Sequence, residues 1–315
     1  MSGAGFDATG ATLREIVAHL DAALAGDAAE AWLIALDPDV TAGAFPGEPV
    51  AGGRHRPLRV WVELADRLGL ALRGPRPGGP GRLAIGFARR AATPAATPPA
   101  QAVDDPRERY GASSAFARLD KREEPGFLLD LAEAFDRARL PPRARVLELG
   151  INTGDAIALL LALHPALAPQ VVGVDHSASA LAVARARFAD HDVALYEADL
   201  ADLAALPLGR FDLVLAIGVL QSPGVDDRAL LRHVVQERLT PTGAVILGVP
   251  NCRYHGGELA HGARMRNFRQ PELGLVIKDV AFYRKYLQQH DREVFVTGHH
   301  DLFVTGVARA SRDLR

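Results

Sequence analysis

From residue 145 to residue 308, short apolar runs alternate with helical patterns, and this alternation restricts the fold more than any other feature of the 315-residue chain. Five runs have the length and apolar character of buried strands, namely RVLEL, QVVGVD, VALYEA, FDLVLAI and AVILGV. Three helical patterns lie among them, namely DAIALLLALH, SALAVARARFA and DRALLRHVVQERL. Strands that are apolar on both faces and alternate with helices predict a parallel sheet covered by helices on both sides.

The alternation ends at the last two strands, EVFVTG and LFVTGVA, which are joined by a tight HHD turn. This connection is too short for a helical crossover, so the two strands are predicted to pair antiparallel at the edge of the sheet. The fold class is therefore α/β. We expect a doubly wound, mostly parallel sheet with a C-terminal antiparallel hairpin, together with a small N-terminal α/β domain.

The length of the chain favours two domains. Residues 1–90 predict a small domain with the order α, β, α, β, β, beginning with a capping box between Thr12 and Glu15. This order is compatible with a winged-helix-like module. Residues 91–106 are rich in proline and alanine and predict a linker. Residues 107–315 form the second predicted domain, in which residues 250–290 form a predicted lid.

Charge and composition exclude several classes of protein. The formal net charge of -2 argues against a wholly basic nucleic-acid binder, although a local basic patch remains compatible with it. The single cysteine, Cys252, has no partner for an intramolecular disulfide, and the first ten residues lack the pattern of a signal peptide. The longest aliphatic stretch, AIALLLAL, is too short to cross a bilayer. We therefore expect a soluble, cytoplasmic protein that does not contact a membrane.

The turn ELGINTG follows the first strand of the alternating region and indicates a ligand site. Glu148, Gly150, Asn152 and Gly154 are spaced two residues apart, which departs from the Gly-x-Gly-x-x-Gly pattern of dinucleotide-binding turns. Asp155 stands at the start of the following helix, where its carboxylate would repel a pyrophosphate. The turn therefore favours a nucleoside without phosphates.

These residues resemble the class I S-adenosylmethionine-dependent methyltransferases. The family's first motif, acid-x-Gly-x-Gly-x-Gly, is similar to ELGINTG with Asn152 in place of the middle glycine. An acid closes the second strand at Asp175, 27 residues after Glu148, and another follows the third strand at Asp199, 24 residues further on. The closing hairpin is also a trait of the family. The resemblance covers residues 107–309.

The resemblance implies S-adenosylmethionine as the cofactor. Asp175 would accept hydrogen bonds from both ribose hydroxyls, and Asp199 would accept one from the adenine amino group. His176 would flank the adenine. Each acid taken alone could instead cap a helix or a turn. The residues implied to line the cofactor are Glu148, Gly150, Asn152, Gly154, Asp175, His176, Asp199, Leu200, Ala216 and Ile217.

The predicted lid is the candidate region for acceptor binding. Between Arg253 and His290 there are five arginines and two lysines against three acids, which suits an anionic acceptor, while a solvated helical face is the alternative. His255, His261 and Tyr254 are the candidate catalytic residues, since a base is needed when the acceptor is protonated. The candidate acceptor-binding residues are Asn251, Arg264, Arg266 and Arg269.

Other polar residues give weaker signals. Gln221 stands where many family members acting on small molecules have a histidine, which argues against a base at that position. Cys252 lacks an activating partner and is predicted to be inert. The histidines lack the spacing of metal ligands, so no metal site is predicted.

The preferred hypothesis is a methyltransferase that acts on a small, anionic metabolite by in-line methyl transfer, with the N-terminal domain on the substrate side or in a homodimer interface. The second hypothesis is an RNA methyltransferase, but aromatic residues for base stacking are sparse. The third is a non-catalytic, cofactor-binding regulator whose basic stretch RHRPLR, residues 54–59, touches DNA.

Overall fold

The computed structural model describes residues 5–26, 28–90, 105–255, 258–261 and 273–309. The chain divides into two compact units, one comprising Met1–Ala96 with Tyr254–Ala260 and the other Thr97–Arg253 with His261–Arg315. The division after residue 96 falls within the predicted linker, of which residues 91–104 lie outside the described ranges.

The N-terminal unit contains a four-stranded sheet and two helices. In chain order its elements are β1 (Phe6–Asp7), α1 (Leu13–Ala25), β2 (Glu30–Leu36), β3 (Pro49–Val50), β4 (Gly53–Arg54), α2 (Leu58–Arg67), β5 (Leu70–Pro77) and β6 (Arg82–Arg89). The strand order in the main sheet is β1-β2-β6-β5, and β5 and β6 form an antiparallel hairpin. The predicted capping box is also confirmed, since Thr12 and Glu15 each accept a hydrogen bond from the other's backbone N–H.

The core of this unit is the layer between its helices and the sheet. Ile16 and Leu20 of α1 and Trp61 of α2 are fully buried against Leu33 and Phe87. Between β2 and α2, where a winged-helix domain requires a further helix, the described chain forms the small hairpin β3–β4 instead. This unit therefore shares the predicted order of elements but lacks a helix-turn-helix pair among its described residues.

Two side chains in the middle of the basic stretch 54–59 do not form a free cationic surface. His55 and Arg56 are both only 5% exposed. Arg56 donates hydrogen bonds to the carbonyl oxygens of Ala8 and Ala11, and the hydroxyl of Thr41 lies 2.6 Å from Nδ1 of His55. The expectation that this stretch touches DNA is therefore wrong for these two side chains, which hold the N-terminal unit together.

The second unit contains the predicted doubly wound sheet. Its helices and strands are α3 (Pro125–Ala138), β7 (Arg145–Leu149), α4 (Asp155–Leu163), β8 (Gln170–Asp175), α5 (Ala178–Arg187), β9 (Val193–Glu197), β10 (Phe211–Ile217), α6 (Asp227–His233), β11 (Leu239–Pro250), α7 (Leu273–Gln289), β14 (Arg292–Gly298) and β15 (Asp301–Ala308). Between β11 and α7 the chain forms β12 (Cys252–His255) and β13 (Glu258–His261), and the residues Tyr254–Ala260 of these two strands are assigned to the N-terminal unit. The strand order is β14-β15-β11-β10-β7-β8-β9. The four neighbouring pairs among the five strands from β11 to β9 run parallel, while β15 is antiparallel to both β11 and β14, as the sequence predicts.

Alternate residues of the central strands supply two hydrophobic cores, one on each face of the sheet. Leu147 and Val214 point to the face covered by α6 and α7, whereas Val146 and Leu213 point to the face covered by α3, α4 and α5. Burial on both faces explains why these strands are apolar throughout. Among the described residues, none of the helices combines the length and the apolar character that a membrane span requires.

Two segments differ from the sequence-based expectation. Residues 106–123, for which the sequence predicts no element, form three short 3-10 turns at Pro106–Tyr110, Ala115–Arg118 and Lys121–Glu123. The predicted lid, residues 250–290, is not a long loop, because it contains the hairpin β12–β13 and the 17-residue helix α7. Its length reflects the crossover helix that connects β11 to β14.

Candidate functional site

The candidate site lies at the carboxyl ends of the parallel strands, where open α/β sheets bind their ligands. The turn after β7 is compact, because all five of its backbone N–H groups from residue 150 to residue 154 have partners within the protein. Gly150 and Ile151 donate to the carbonyl of Val174, and Gly154 donates to that of Ile151. The N–H of Asn152 donates to Asp175, and that of Thr153 to the side chain of Asn152. These groups are therefore not available to cradle a phosphate, in agreement with the expected nucleoside without phosphates.

Packing within the turn explains both of its glycines. Gly150 has φ +71°, and a Cβ there would lie 2.1 Å from a methyl group of Val219. Gly154 has φ +86°, and a Cβ there would lie 2.3 Å from the ring of Phe188. Both positions therefore require glycine for conformational and steric reasons that arise within the protein itself.

Asn152 replaces the middle glycine and uses its side chain. Its φ of 49° lies in the left-handed region, which asparagine tolerates better than most residues. Its Nδ2 donates a 2.8 Å hydrogen bond to the carbonyl of Tyr110. The replacement thus keeps the shape of the turn and adds a contact that glycine could not make.

Asp175 is fixed at the end of β8. Its side chain is nearly buried, and its two carboxylate oxygens accept hydrogen bonds from the backbone N–H groups of Asn152 and Ser177, at 2.8 and 2.9 Å. Each carboxylate oxygen has a further lone pair. This arrangement orients the carboxylate while leaving it able to accept hydrogen bonds from a ligand diol.

Glu148 lies at the end of β7 and is 4% exposed. Burial, reinforced by the nearby negative charges of Asp155 and Asp175, raises the pKa of Glu148 well above its usual value. Its Oε2 has no hydrogen-bond partner among the described residues. A buried carboxyl group with an unpartnered oxygen fits a cationic or hydrogen-bond-donating ligand group at this place.

The remaining predicted cofactor residues surround the same edge of the sheet with differing exposure. His176 and Asp199 are exposed, and Leu200 is half-buried. Asp199 accepts a hydrogen bond from the backbone N–H of Ala201 and so caps the 3-10 helix Leu200–Ala205. Ala216 is buried and Ile217 half-buried at the end of β10, adjacent to β7 in the sheet. The capping role that the sequence left open for each acid therefore applies to Asp199.

The predicted acceptor residues fall into three groups. The side chain of Asn251 donates to the carbonyl of His299, and its backbone N–H donates to that of His300, so this residue supports the turn between β14 and β15. Tyr254 and His255 belong to β12, and His261 to β13. Arg264, Arg266 and Arg269 lie outside the described residues.

Cys252 agrees with the prediction of an inert thiol. Burial, followed by the charge of Asp301, raises the pKa of Cys252 to about 12. The thiol is therefore protonated at neutral pH and is a poor nucleophile. Among the described residues, no group of three or more histidine, cysteine or acidic side chains is placed to hold a metal ion.

A buried polar network follows β10, and the sequence did not indicate it. Gln221 is 7% exposed, and its Nε2 donates to the hydroxyl of Tyr283, which itself donates to Asp227 at 2.8 Å. The network joins the loop after β10 to the start of α6 and to α7. The observed role of Gln221 is therefore structural, because its side chain connects the loop after β10 to helix α7.

The fold and the turn define a nucleoside-binding, doubly wound α/β domain. Within it, residues 146–243 match the family model of the methyltransferase domain. The chain therefore contains a methyltransferase domain, and S-adenosylmethionine is its cofactor.

Solved structures of similar fold include three methyltransferases or their complexes. One is precorrin-6y C5,15-methyltransferase from Geobacter metallireducens, which is 16% identical, with 57% of this chain and 87% of that one covered and a TM-score of 0.40. A S-adenosylmethionine-dependent methyltransferase from Aquifex aeolicus is 12% identical, with 67% and 97% covered and a TM-score of 0.41. The complex of the Haloferax volcanii Trm112 activator with a methyltransferase gives 17% identity, 64% and 98% coverage and a TM-score of 0.46. None of these carries an argument about the substrate, and no curated protein matches the sequence.

Proposed function

We propose that the protein methylates a small, anionic metabolite, and that Asp175 binds the ribose of S-adenosylmethionine. The main support for the proposed cofactor site is the nearly buried carboxylate of Asp175. Two backbone N–H groups hold this carboxylate beside the turn after β7. A carboxylate held in this way is suited to accept hydrogen bonds from two adjacent hydroxyls.

The carboxyl group of Glu148 at the end of β7 suggests where the amino acid portion of the cofactor would bind. The cofactor carries an electrophilic methyl group on a positively charged sulfonium. Glu148, with its unpartnered Oε2, would accept a hydrogen bond from the α-amino group of the cofactor's amino acid portion, while Gly150, Asn152 and Gly154 shape the floor beneath it. His176, Asp199 and Leu200 would surround the adenine, and Ala216 and Ile217 would line the methionine portion.

Methyl transfer by in-line displacement requires alignment of the acceptor and exclusion of water more than a particular acid or base. Tyr254, His255 and His261 would take up a proton where the acceptor carries one. Asn251, Arg264, Arg266 and Arg269 would position an anionic acceptor. The surplus of positive charge between residues 253 and 290 supports this choice of acceptor.

The experiment that tests the cofactor site is calorimetric titration of Asp175→Ala with S-adenosylmethionine. Charge-assisted hydrogen bonds contribute about 1.5 to 3 kcal/mol each, so we expect the dissociation constant to rise by roughly a hundredfold. Asp202→Ala is the matched control, because Asp202 lies in the nearby 3-10 helix and has no assigned role in binding. Unchanged affinity in Asp175→Ala, with wild-type thermal stability, would remove Asp175 from the site.

A further inference from the structure

Residues 105–124, here called the strap, lie outside the residues that match the methyltransferase family model, yet they are attached to the candidate cofactor site. The strap precedes α3 and consists of three 3-10 turns with short connections. Its side chains and backbone bond to α5, to the turn after β7 and to β15, all at the carboxyl edge of the sheet. Such attachments along one edge place the strap beside the ligand-binding end of the domain.

The first attachment is at the start of α5. The carboxylate of Glu108 accepts hydrogen bonds from the hydroxyls of Ser177 and Ser179 and from the backbone N–H of Ser179. These bonds, that of the Ser179 hydroxyl above all, lower the pKa of Glu108 and keep it ionised. A negative charge at the N-terminus of a helix is also favoured by the helix dipole.

Close approach of the strap to α5 depends on Gly111. A Cβ at this position would lie 2.0 Å from Glu108 Oε2 and 2.5 Å from the hydroxyl of Ser179. The next residue, Ala112, donates its backbone N–H to the same hydroxyl at 2.9 Å. The chain is therefore in direct contact with the start of α5 on both sides of this glycine.

Two further attachments fix the rest of the strap. Nδ2 of Asn152 donates to the carbonyl of Tyr110, which ties the strap to the turn after β7. Lys121 forms a 2.8 Å ion pair with Asp301, and the side chains are 17% and 5% exposed. The strap thus spans the carboxyl edge from α5 to β15.

Two of the residues that hold the strap also hold Asp175. Asn152 and Ser177 each donate a backbone N–H to a different oxygen of the Asp175 carboxylate, and each donates from its side chain to the strap. The orientation of Asp175 and the closure of the strap are therefore set by the same two residues.

We propose that Asn152 and Ser177 are positioning residues which clasp the strap beside Asp175, so that residues 106–112 form the ribose-side wall of the cofactor site and slow cofactor release. This inference rests on the proposed role of Asp175 in binding the ribose. It gives the asparagine at the middle position of the turn a function that a glycine could not have.

The decisive variant is Asn152→Gly. Glycine accepts the φ of 49° without strain and keeps the backbone N–H that bonds to Asp175, so the variant loses the bond to the strap and the local bond that the Asn152 side chain accepts from the backbone N–H of Thr153. Glu108→Gln weakens the second clasp without moving Asp175. The measured quantity is the dissociation rate constant of S-adenosylhomocysteine from the full-length protein, followed by displacement with excess S-adenosylmethionine.

We expect each variant to release S-adenosylhomocysteine roughly three to ten times faster than the wild type, the loss of about one hydrogen bond. Glu133→Gln is the control, since it removes an ion pair with Arg137 on the surface of α3 and leaves the strap intact. It should leave the rate unchanged. A purely structural strap would lower the melting temperature of both variants without altering the dissociation rate, and that result would overturn the proposal.

Limited proteolysis provides a second test that does not depend on the variants. Trypsin can cleave after Arg107, Arg109 and Arg118, which are exposed on the strap. We expect S-adenosylhomocysteine to slow cleavage at Arg107 and Arg109 in the wild type and to do so much less in Asn152→Gly. Equal cleavage with and without S-adenosylhomocysteine in the wild type would overturn the proposal.

The two proposals fail in different ways. If Asp175→Ala binds S-adenosylmethionine like the wild type, the ribose role of Asp175 is lost, and the coupling through Asn152 and Ser177 is overturned with it. If Asp175→Ala binds weakly but Asn152→Gly and Glu108→Gln release S-adenosylhomocysteine at the wild-type rate, only the function of the strap is overturned.

Discussion

At the scale of single residues, Glu148 predicts an unusual dependence of stability on pH. Because burial and the charges of Asp155 and Asp175 raise its pKa in the folded protein, the folded state holds a proton that the unfolded state releases above about pH 4.5. Its contribution to stability is therefore complete below the unfolded pKa and is lost as the pH rises towards the folded pKa. Glu148→Gln, which cannot ionise, should lack this loss.

Chemical denaturation at a series of pH values above 4.5 measures the effect. We expect the free energy of unfolding of Glu148→Gln, relative to the wild type, to increase with pH in this window. The exposed Glu123→Gln serves as the control and should differ from the wild type by a constant amount. Parallel curves for Glu148→Gln and the wild type would show that Glu148 is ionised in the folded protein.

At the scale of elements, the turn after β7 predicts a coupling between Gly150 and Val219. An alanine at position 150 would carry the cost of a left-handed φ, about 1 to 2 kcal/mol, together with the overlap against the Val219 methyl group. Val219→Ala removes that methyl group but cannot remove the backbone cost. The double variant should therefore be more stable than the sum of the two single effects, by about 1 to 3 kcal/mol.

Thermal and chemical unfolding of the four proteins in this cycle measure the coupling. The companion cycle of Gly150→Ala with Val183→Ala is the control, because Val183 lies on α5 and is 38% exposed. Additive effects in both cycles would mean that Val219 moves away from the turn without cost. The steric account of Gly150 would then be wrong.

Two tyrosines of helix α7 are expected to contribute differently to the free energy of unfolding. Tyr283 is fully buried and bonded to Gln221 and Asp227, so Tyr283→Phe should cost about 1 to 3 kcal/mol of unfolding free energy. Tyr286 makes one long hydrogen bond to Gln236 near the surface, and Tyr286→Phe should change stability by less than about 0.5 kcal/mol. Equal costs in urea denaturation would contradict a stabilising role for the buried network.

The elements themselves were largely predictable from the sequence, because strand and helix periods are local properties. The strands from Arg145 to Ala308 and their parallel order follow from apolar runs that are buried on both faces. Helix α7 lies within the segment that its length and charge surplus predict to be a lid, yet Val276, Val280, Tyr283 and Leu287 have helical spacing. The helical spacing was available in the sequence and outweighs the charge surplus.

The parts of the site that sequence reasoning missed depend on contacts between distant residues. Glu108 meets Ser179 across 71 positions, and Gln221 meets Tyr283 across 62. Polar side chains such as these give no periodic signal, so their partners emerge only from the folded chain. The proposed roles of the acids Glu148, Asp175 and Asp199 come from a pattern that the resemblance to a family supplies, and they stay predictions.

At the scale of the whole molecule, the two units and the near-neutral net charge bear on the choice of acceptor. The described part of the N-terminal unit buries His55 and Arg56, which removes these two side chains of its basic stretch from any nucleic-acid surface. The positive surplus of residues 253–290 remains, and it includes Arg264, Arg266 and Arg269. The acceptor is therefore expected to depend on these arginines and not on those of the N-terminal unit.

Two triple variants test whether methyl transfer depends on the arginines of residues 253–290 or on those of the N-terminal unit. Changing Arg264, Arg266 and Arg269 to Gln should spare the affinity for S-adenosylmethionine but reduce methyl transfer to the small-molecule fraction of a cell extract, measured with a labelled methyl group. Loss of contacts made equally in the ground and transition states raises KM alone, whereas loss of alignment also lowers kcat. Three of the exposed arginines of the N-terminal unit, Arg14, Arg59 and Arg67, provide a control with the same change in charge. This control should transfer methyl groups like the wild type. Label that appears instead in RNA, with binding that weakens steeply as salt is raised, would replace the metabolite by a nucleic-acid acceptor.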